Sequence, residues 1–242
     1  SLGTGANGYN DNAENFVAYC WKESPTYGLD IVPYTGTGVA GRAINHNLGN
    51  APKVIILKIL DGAYAWRVYH AYSDATHPEY YELMIHDSTG ITRDTPSWND
   101  TLPTSTQFIL GTGSNVNELN KNYISYLFAE IPGFSKFGYY IGNGNADGPF
   151  VYCGFRPKWV MIKSVGVYHW YIIDSARSPY NVTSLEVCPS LEFAEVSCSG
   201  YLFDILSNGF KLRSTDPQTN QSTTRHIFMA FAETPFKNSN SR

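Results

Sequence analysis

Charge is scarce in this 242-residue chain: Asp, Glu, Lys and Arg make up 16% of it, against about 25% in an average soluble domain. Basic residues are the fewest, 17 Lys+Arg against 21 Asp+Glu, for a formal charge of −4. No basic stripe is present to track a phosphate backbone, so nucleic acid is not expected as a partner. Long apolar runs are missing too. None approaches the ~20 residues of a spanning helix, and membrane insertion is not expected. Cysteine is limited to four residues, Cys20, Cys153, Cys188 and Cys198. Cys188 and Cys198 flank nine residues and are spaced to close a hairpin as a disulfide, which needs an oxidising compartment. Buried free thiols are the competing reading.

Catalytic signatures are missing as well. There is no G-x-S-x-G, no H-E-x-x-H and no Cys/His arrangement. No enzyme activity is expected. A polysaccharide hydrolase or lyase stays open as an alternative, because the paired acids of glycan cleavage leave no local motif. Gly36 to Gly41 fits the spacing of a dinucleotide fingerprint, but a loop-like stretch follows it where a helix would have to begin. Asn143 to Gly148 resembles the start of a calcium loop, yet Gly154 stands where the bidentate carboxylate belongs. His70 to Asp87 gathers three His and four acids, with His gaps too wide for a zinc pattern. No cofactor and no metal are expected.

What the chain has in plenty is aromatic and apolar residues, 15% and 43% of its length, which is a globular composition. These residues recur. Asn15 to Glu23, Asn122 to Glu130 and His226 to Glu233 are aromatic-rich runs ending in Glu, each followed two residues later by Pro. Tyr34 to Gly38 matches Tyr140 to Gly144. Leu48 to Lys58 matches Gly154 to Lys163, and Trp66 matches Trp170. Offsets of 104–107 residues hold across these landmarks. The period indicates tandem units. Residues 1–23 read as a strand segment resembling the end of a preceding repeat, followed by unit 1 (24–130) and unit 2 (131–242).

Alternation, short β-branched runs and dense turn signals predict an all-β fold of two tandem β-sandwich or jelly-roll-like units. Phe16 to Glu23 reads as a strand covered on both faces. Asn208-Gly209 reads as a two-residue hairpin turn. The best helical stretch, Pro78 to Ile85, is one or two turns. Trp66, Trp159 and Trp170 fall at core positions. Trp98, Tyr80 and Tyr81 lie in a polar stretch without a counterpart in unit 2. Rigid rings beside short polar groups suit recognition, and exposed rings stack on sugar faces. With Asp147 they are the expected ligand contacts. Asn99, Asn181 and Asn220 head glycosylation sequons.

Unit 2 carries a more specific pattern: Asn122 to Lys163 in order, then His169 to Val182, Leu206 to Arg213 and Ile227 to Phe236. It resembles a domain of unknown function found in tail-fibre and related proteins of aquatic bacteriophages. Unit 1 is a diverged copy that lacks counterparts of Ser135 to Gly138, Asp147 to Phe150, Asn208 to Arg213 and Asp174 to Asn181. The resemblance brings no catalytic residues. It implies a virion-surface or extracellular location, other virion tail proteins as partners, a homo-oligomer (trimer or filament) and contact with a host-surface glycan. The leading expectation is a non-enzymatic, tail-fibre-like binding protein. A self-assembling filament subunit linked by strand donation is the alternative, and a depolymerase the second.

Overall fold

The computed structural model describes residues 16–197, 200 and 203–233. The fold is all-β, in antiparallel sheets. The first half contains β1 (Leu29–Thr35), β2 (Arg42–Asn45), β3 (Val54–Ile59), β4 (Arg67–His70), β5 (Tyr81–Met84), β6 (Thr92–Arg93), β7 (Gln107–Leu110) and β8 (Asn122–Phe128). The second contains β9 (Ser135–Ile141), β10 (Phe150–Tyr152), β11 (Pro157–Ser164), β12 (Trp170–Asp174), β13 (Leu185–Glu186), β14 (Val196–Ser197), β15 (Phe203–Leu206), β16 (Gly209–Leu212) and β17 (Arg225–Ala232).

The two halves share a strand order. One sheet runs β1-β8-β3-β4-β5-β6 and the other β9-β17-β11-β12. In each, the last long strand of the half lies between its first strand and a central β-branched strand. A smaller sheet covers each one: β2-β7 in the first half, β10-β16-β15 in the second.

Strand alternation sorts side chains into three cores. Ile55, Leu57 and Ile59 of β3 face the β2-β7 ribbon with Phe108, Tyr123 and Trp98. Val160 and Ile162 of β11 face the opposite cover with Phe203, Phe210 and Phe228. The remaining faces of the two large sheets meet each other. There Val54, Val68 and Phe128 pack with Trp159, Met161 and Phe231. The result is four stacked layers, and the middle core belongs to both halves. Period-2 alternation with no polar face is what such doubly covered strands require.

Polar contacts cross the same seam. The backbone N–H of Tyr72 donates to His70 Nδ1 at 3.2 Å, so the ring proton sits on Nε2, which donates to the Phe228 carbonyl at 3.2 Å. Trp170 Nε1 donates to the Met84 carbonyl at 2.8 Å. Residues 16–23 belong to no strand, against the sequence expectation. Tyr19 and Trp21 instead pack on the shared core, with the Trp21 ring 5.4 Å from Trp159 and 5.5 Å from Phe231. Residues 1–15 lie outside the described residues.

Two local expectations shift. Pro78–Tyr80 is a single 3-10 turn that runs straight into β5. The hairpin turn is Ser207-Asn208, because Leu206 already pairs with Gly209. Gly209 is needed for another reason: a Cβ there would sit 2.0 Å from the Val151 carbonyl oxygen of the adjoining strand.

Each half is locked by a buried asparagine. Asn117 Oδ1 accepts from the Thr37 N–H at 2.8 Å, and its Nδ2 donates to the Gly111 and Val39 carbonyls at 2.7 and 2.9 Å. Asn220 Oδ1 accepts from the Asn143 N–H at 2.9 Å, and its Nδ2 donates to the Ser214 and Asn145 carbonyls at 2.7 and 2.8 Å. Both pin the loop between the half's first two strands. Asn220→Ala strands these backbone groups, and at about 1–3 kcal/mol for each buried group left unpaired we expect a loss of a few kcal/mol in denaturant unfolding. A loss equal to that of an exposed Asn→Ala control would contradict the clamp.

Candidate functional site

A sheet edge binds only what its unpaired backbone allows, and the first strands of the two halves, β1 and β9, differ in what they leave unpaired. On β9, the Phe134 carbonyl accepts from Ala232 and the Gly142 N–H donates to Thr224. Even-numbered residues therefore face β17 and odd-numbered ones face outward. The Ser135 N–H is satisfied by the Ile131 carbonyl, and the Phe137 N–H by Glu130 Oε2 at 3.2 Å. Beyond these, the Tyr139 N–H and carbonyl and the Ile141 N–H have no partner among the described residues. On β1 the equivalent register offers fewer donors. The Ile31 N–H meets Glu23 Oε1 at 3.3 Å, and the next outward position is Pro33, which has no N–H.

The open edge of β9 floors a groove of about 270 Å³. One wall is Tyr72 and Tyr139, with ring centroids 6.2 Å apart; the other is Phe150 and Tyr152 of β10. Tyr139, Phe150 and Tyr152 are 45%, 45% and 62% exposed, which is unusual for rings in a folded chain. Gly138 keeps the floor low: a Cβ there would meet the Phe228 ring at 2.9 Å. Lys136 reaches in from β9, paired with Glu130 at 2.8 Å. Arg225 lies over the Tyr139 ring, its guanidinium carbon 3.8 Å from the centroid.

The contacts expected from sequence are not in this groove. Trp98 is a correction: it is 2% exposed and sits in the first-half core, edge-on to Tyr69. The short helical turn Thr95–Trp98 folds it inward out of its polar surroundings. Tyr80 has its faces taken, by His77 stacked at 4.4 Å and by the Arg93 guanidinium at 4.4 Å. Tyr81 is half-buried in β5 opposite Arg93. Asp147 is exposed but pairs with Lys211 at 2.9 Å, and Arg213 lies 3.6 Å away.

Of the sequons, Asn220 is also a correction. It is fully buried, and the nitrogen a glycan would occupy makes the bonds described above. Asn99 is half-buried at the end of the Thr95–Trp98 turn. Asn181 is exposed, with its amide bonded both ways to the Ile205 backbone. Cys188 is buried; Cys198 lies outside the described residues, and with it the expected bridge.

One acid cluster stands apart, in the first half. Glu82 is buried, with Oε1 on Arg67 Nη1 at 2.6 Å. Ser97 Oγ lies 2.6 Å from Glu82 Oε2 and 2.7 Å from Asp94 Oδ2. One hydroxyl proton cannot serve two carboxylates, so a carboxyl proton must complete the set. Burial, then Asp94, pushes the Glu82 carboxyl up to about 7, against the opposing pull of Ser97 and Arg67.

Comparison with known proteins decides the family. A family model for DUF7483, a domain of unknown function, matches residues 1–235. The chain belongs to the DUF7483 family. The match runs through both halves, further than the stretch from Asn122 that carries the resemblance in sequence. No curated protein and no solved structure matches this DUF7483 chain.

Glu82 gives a pH signature. Its unfolded value is near 4.5 and its folded value about 7. The folded state thus holds the proton more tightly, and this stabilisation is complete below 4.5 and lost as pH rises to about 7. His70 runs the other way: burial holds it down to about 4, so its cost fades as pH rises. A Glu82→Gln variant keeps His70, so the difference between parent and variant isolates Glu82. We expect denaturant titrations to show the parent losing stability relative to E82Q from about pH 4.5 to 7. A difference independent of pH would be incompatible with the protonated cluster.

Proposed function

We propose that this protein is a non-enzymatic, tail-fibre-like component of a virion surface that binds a host cell-surface saccharide through the β9 groove. On this reading it consists of two tandem β-sandwich units related by an internal repeat. It works as a homo-oligomer beside other tail proteins, where linked weak sites gain avidity.

The observation that carries the reading is the exposure of Tyr139, Phe150 and Tyr152 about one open strand edge. Saccharide recognition needs two things at once. Flat apolar surface must meet the C–H faces of the ring, and fixed donors and acceptors must meet its hydroxyls. The rings supply the first and the unpaired Tyr139 and Ile141 backbone groups the second. Neither needs a general acid or a nucleophile. The edge that stays open lies within the seven residues of β9, a short edge for an added protein strand and a fair length for a sugar.

Tyr152 is the ring to remove, since it is the most exposed of the three. On a glycan array, the parent should retain one class of oligosaccharide, and Tyr152→Ala should bind it at least tenfold more weakly, about 1–3 kcal/mol for a lost stacking ring. Its melting temperature should not change. No binder on a broad array, or equal binding by parent and variant, would sink the proposal.

A further inference from the structure

From two cations beside Tyr72, a wall of the groove, we infer that the saccharide is anionic, with its carboxylate or sulfate held by Arg225 and Lys53. This rests on the saccharide reading above and adds the ligand's charge to it.

Arg225 makes no ion pair among the described residues. Its Nη1 donates to the Tyr72 carbonyl at 3.4 Å, and its plane rests on Tyr139. These two contacts fix the guanidinium in place and leave its other N–H groups uncommitted. A guanidinium carries five donors in a rigid fork that matches a carboxylate or sulfate. Lys53 likewise has no ion pair among the described residues, and its Nζ stands 5.9 Å from the Tyr72 ring centroid. Tyr72 therefore has one unpaired cation on its backbone and another near its ring. The acids nearby do not cancel them. Glu130 is committed to Lys136. Asp74 is close enough to feel the Arg225 charge, and its Oδ1 accepts from the Thr76 and His77 N–H groups; one acid offsets only part of the charge of two cations. In a chain of net charge −4, two cations without ion pairs beside the groove residue Tyr72 are a local reversal of sign.

The first half serves as an internal control. Arg225 pairs with Ile141 at the end of β9. At the equivalent register Asn122 pairs with Thr35 at the end of β1. There Pro33 removes the outward donor, and the residue is neutral. Open edge, exposed ring and free guanidinium thus occur together in the second half.

The test uses the full chain and three tetrasaccharides, with affinities measured by calorimetry. The first is β-1,4-mannotetraose, which is neutral. The second is β-1,4-tetramannuronate, which differs from it in carrying a carboxylate at each C6. The third is sulfated mannotetraose. We expect an acidic probe to bind at least about tenfold more tightly than the neutral one, with the advantage shrinking as salt is raised. Preference for tetramannuronate would assign a carboxylate, and preference for the sulfated probe a sulfate. Arg225→Gln should abolish the preference for the acidic probes. Lys53→Gln, away from the sheet hydrogen bonds of β17, should reduce the preference even if the Arg225 variant fails to fold. Equal affinity for neutral and acidic probes, or an undiminished preference in both variants, overturns the anionic inference and leaves the saccharide reading standing. No binding by any probe overturns both.

Discussion

The two large sheets have apolar side chains on both faces, and neither sheet can leave a face in water. That constraint organises the molecule. In β3, Val54 and Ile56 point one way and Ile55, Leu57 and Ile59 the other. In β17, Ile227, Met229 and Phe231 point one way and Phe228, Ala230 and Ala232 the other. One face of each sheet is covered by its own small sheet. The other is covered by the opposite half. A half on its own would expose Phe128 or Phe231 with their neighbours, an apolar area far beyond the scattered rings a soluble surface tolerates. The halves are therefore layers of one body.

The same packing decides where function can lie. Central strands are sealed above, below and on both sides. Edge strands keep backbone groups to offer, β1 and β9 among them, and edges left open invite unwanted pairing. The chain closes them by a common device and then departs from it. Glu23 and Glu130, at equivalent places, each cap the outward N–H of the strand that follows. Pro33 finishes the closure on β1. On β9 the corresponding residue is Tyr139, which leaves the edge open and adds a ring.

Much of the fold was legible in sequence because it rests on periodicity. Alternating apolar runs, Pro boundaries and Gly-rich turns identified the β class. Trp159 was placed in the core by its position in a strand and Trp170 by its recurrence with Trp66, and both are buried, whereas Trp66 is only half-buried. The site was not legible in the same way. Trp98 was expected at the surface because its neighbours are polar, yet one turn of helix rotates it inward, and composition cannot see a rotation. Tyr80 was misread because its covering groups, His77 and Arg93, come from before and after it in the chain. Ser135 to Gly138 and Asp147 to Phe150, for which the sequence reading found no counterpart in the first half, supply Lys136, Phe137, Gly138 and Phe150 to the groove, a signal that could have led to it. What sequence could not give is that β9 and β10 lie at the same side of their sheets, which is a fact of topology.

The groove also depends on the seam between the halves. Tyr72 comes from the first half and Tyr139, Phe150 and Tyr152 from the second. Arg225 joins them, stacking on Tyr139 and bonding to the Tyr72 backbone. Two residues before Tyr72, His70 bonds across the seam to Phe228, whose ring lies under Gly138. One short run of chain thus anchors the seam and supplies a wall of the site. Because that histidine is neutral and donates from Nε2, protonating its Nδ1 would break the contact with the Tyr72 N–H and disturb the wall. Burial opposes that protonation, so the wall holds at the pH where an exposed histidine would already be charged. The rigidity that recognition needs comes from the apolar seam itself, since a ring fixed by packing loses little freedom when a ligand settles on it.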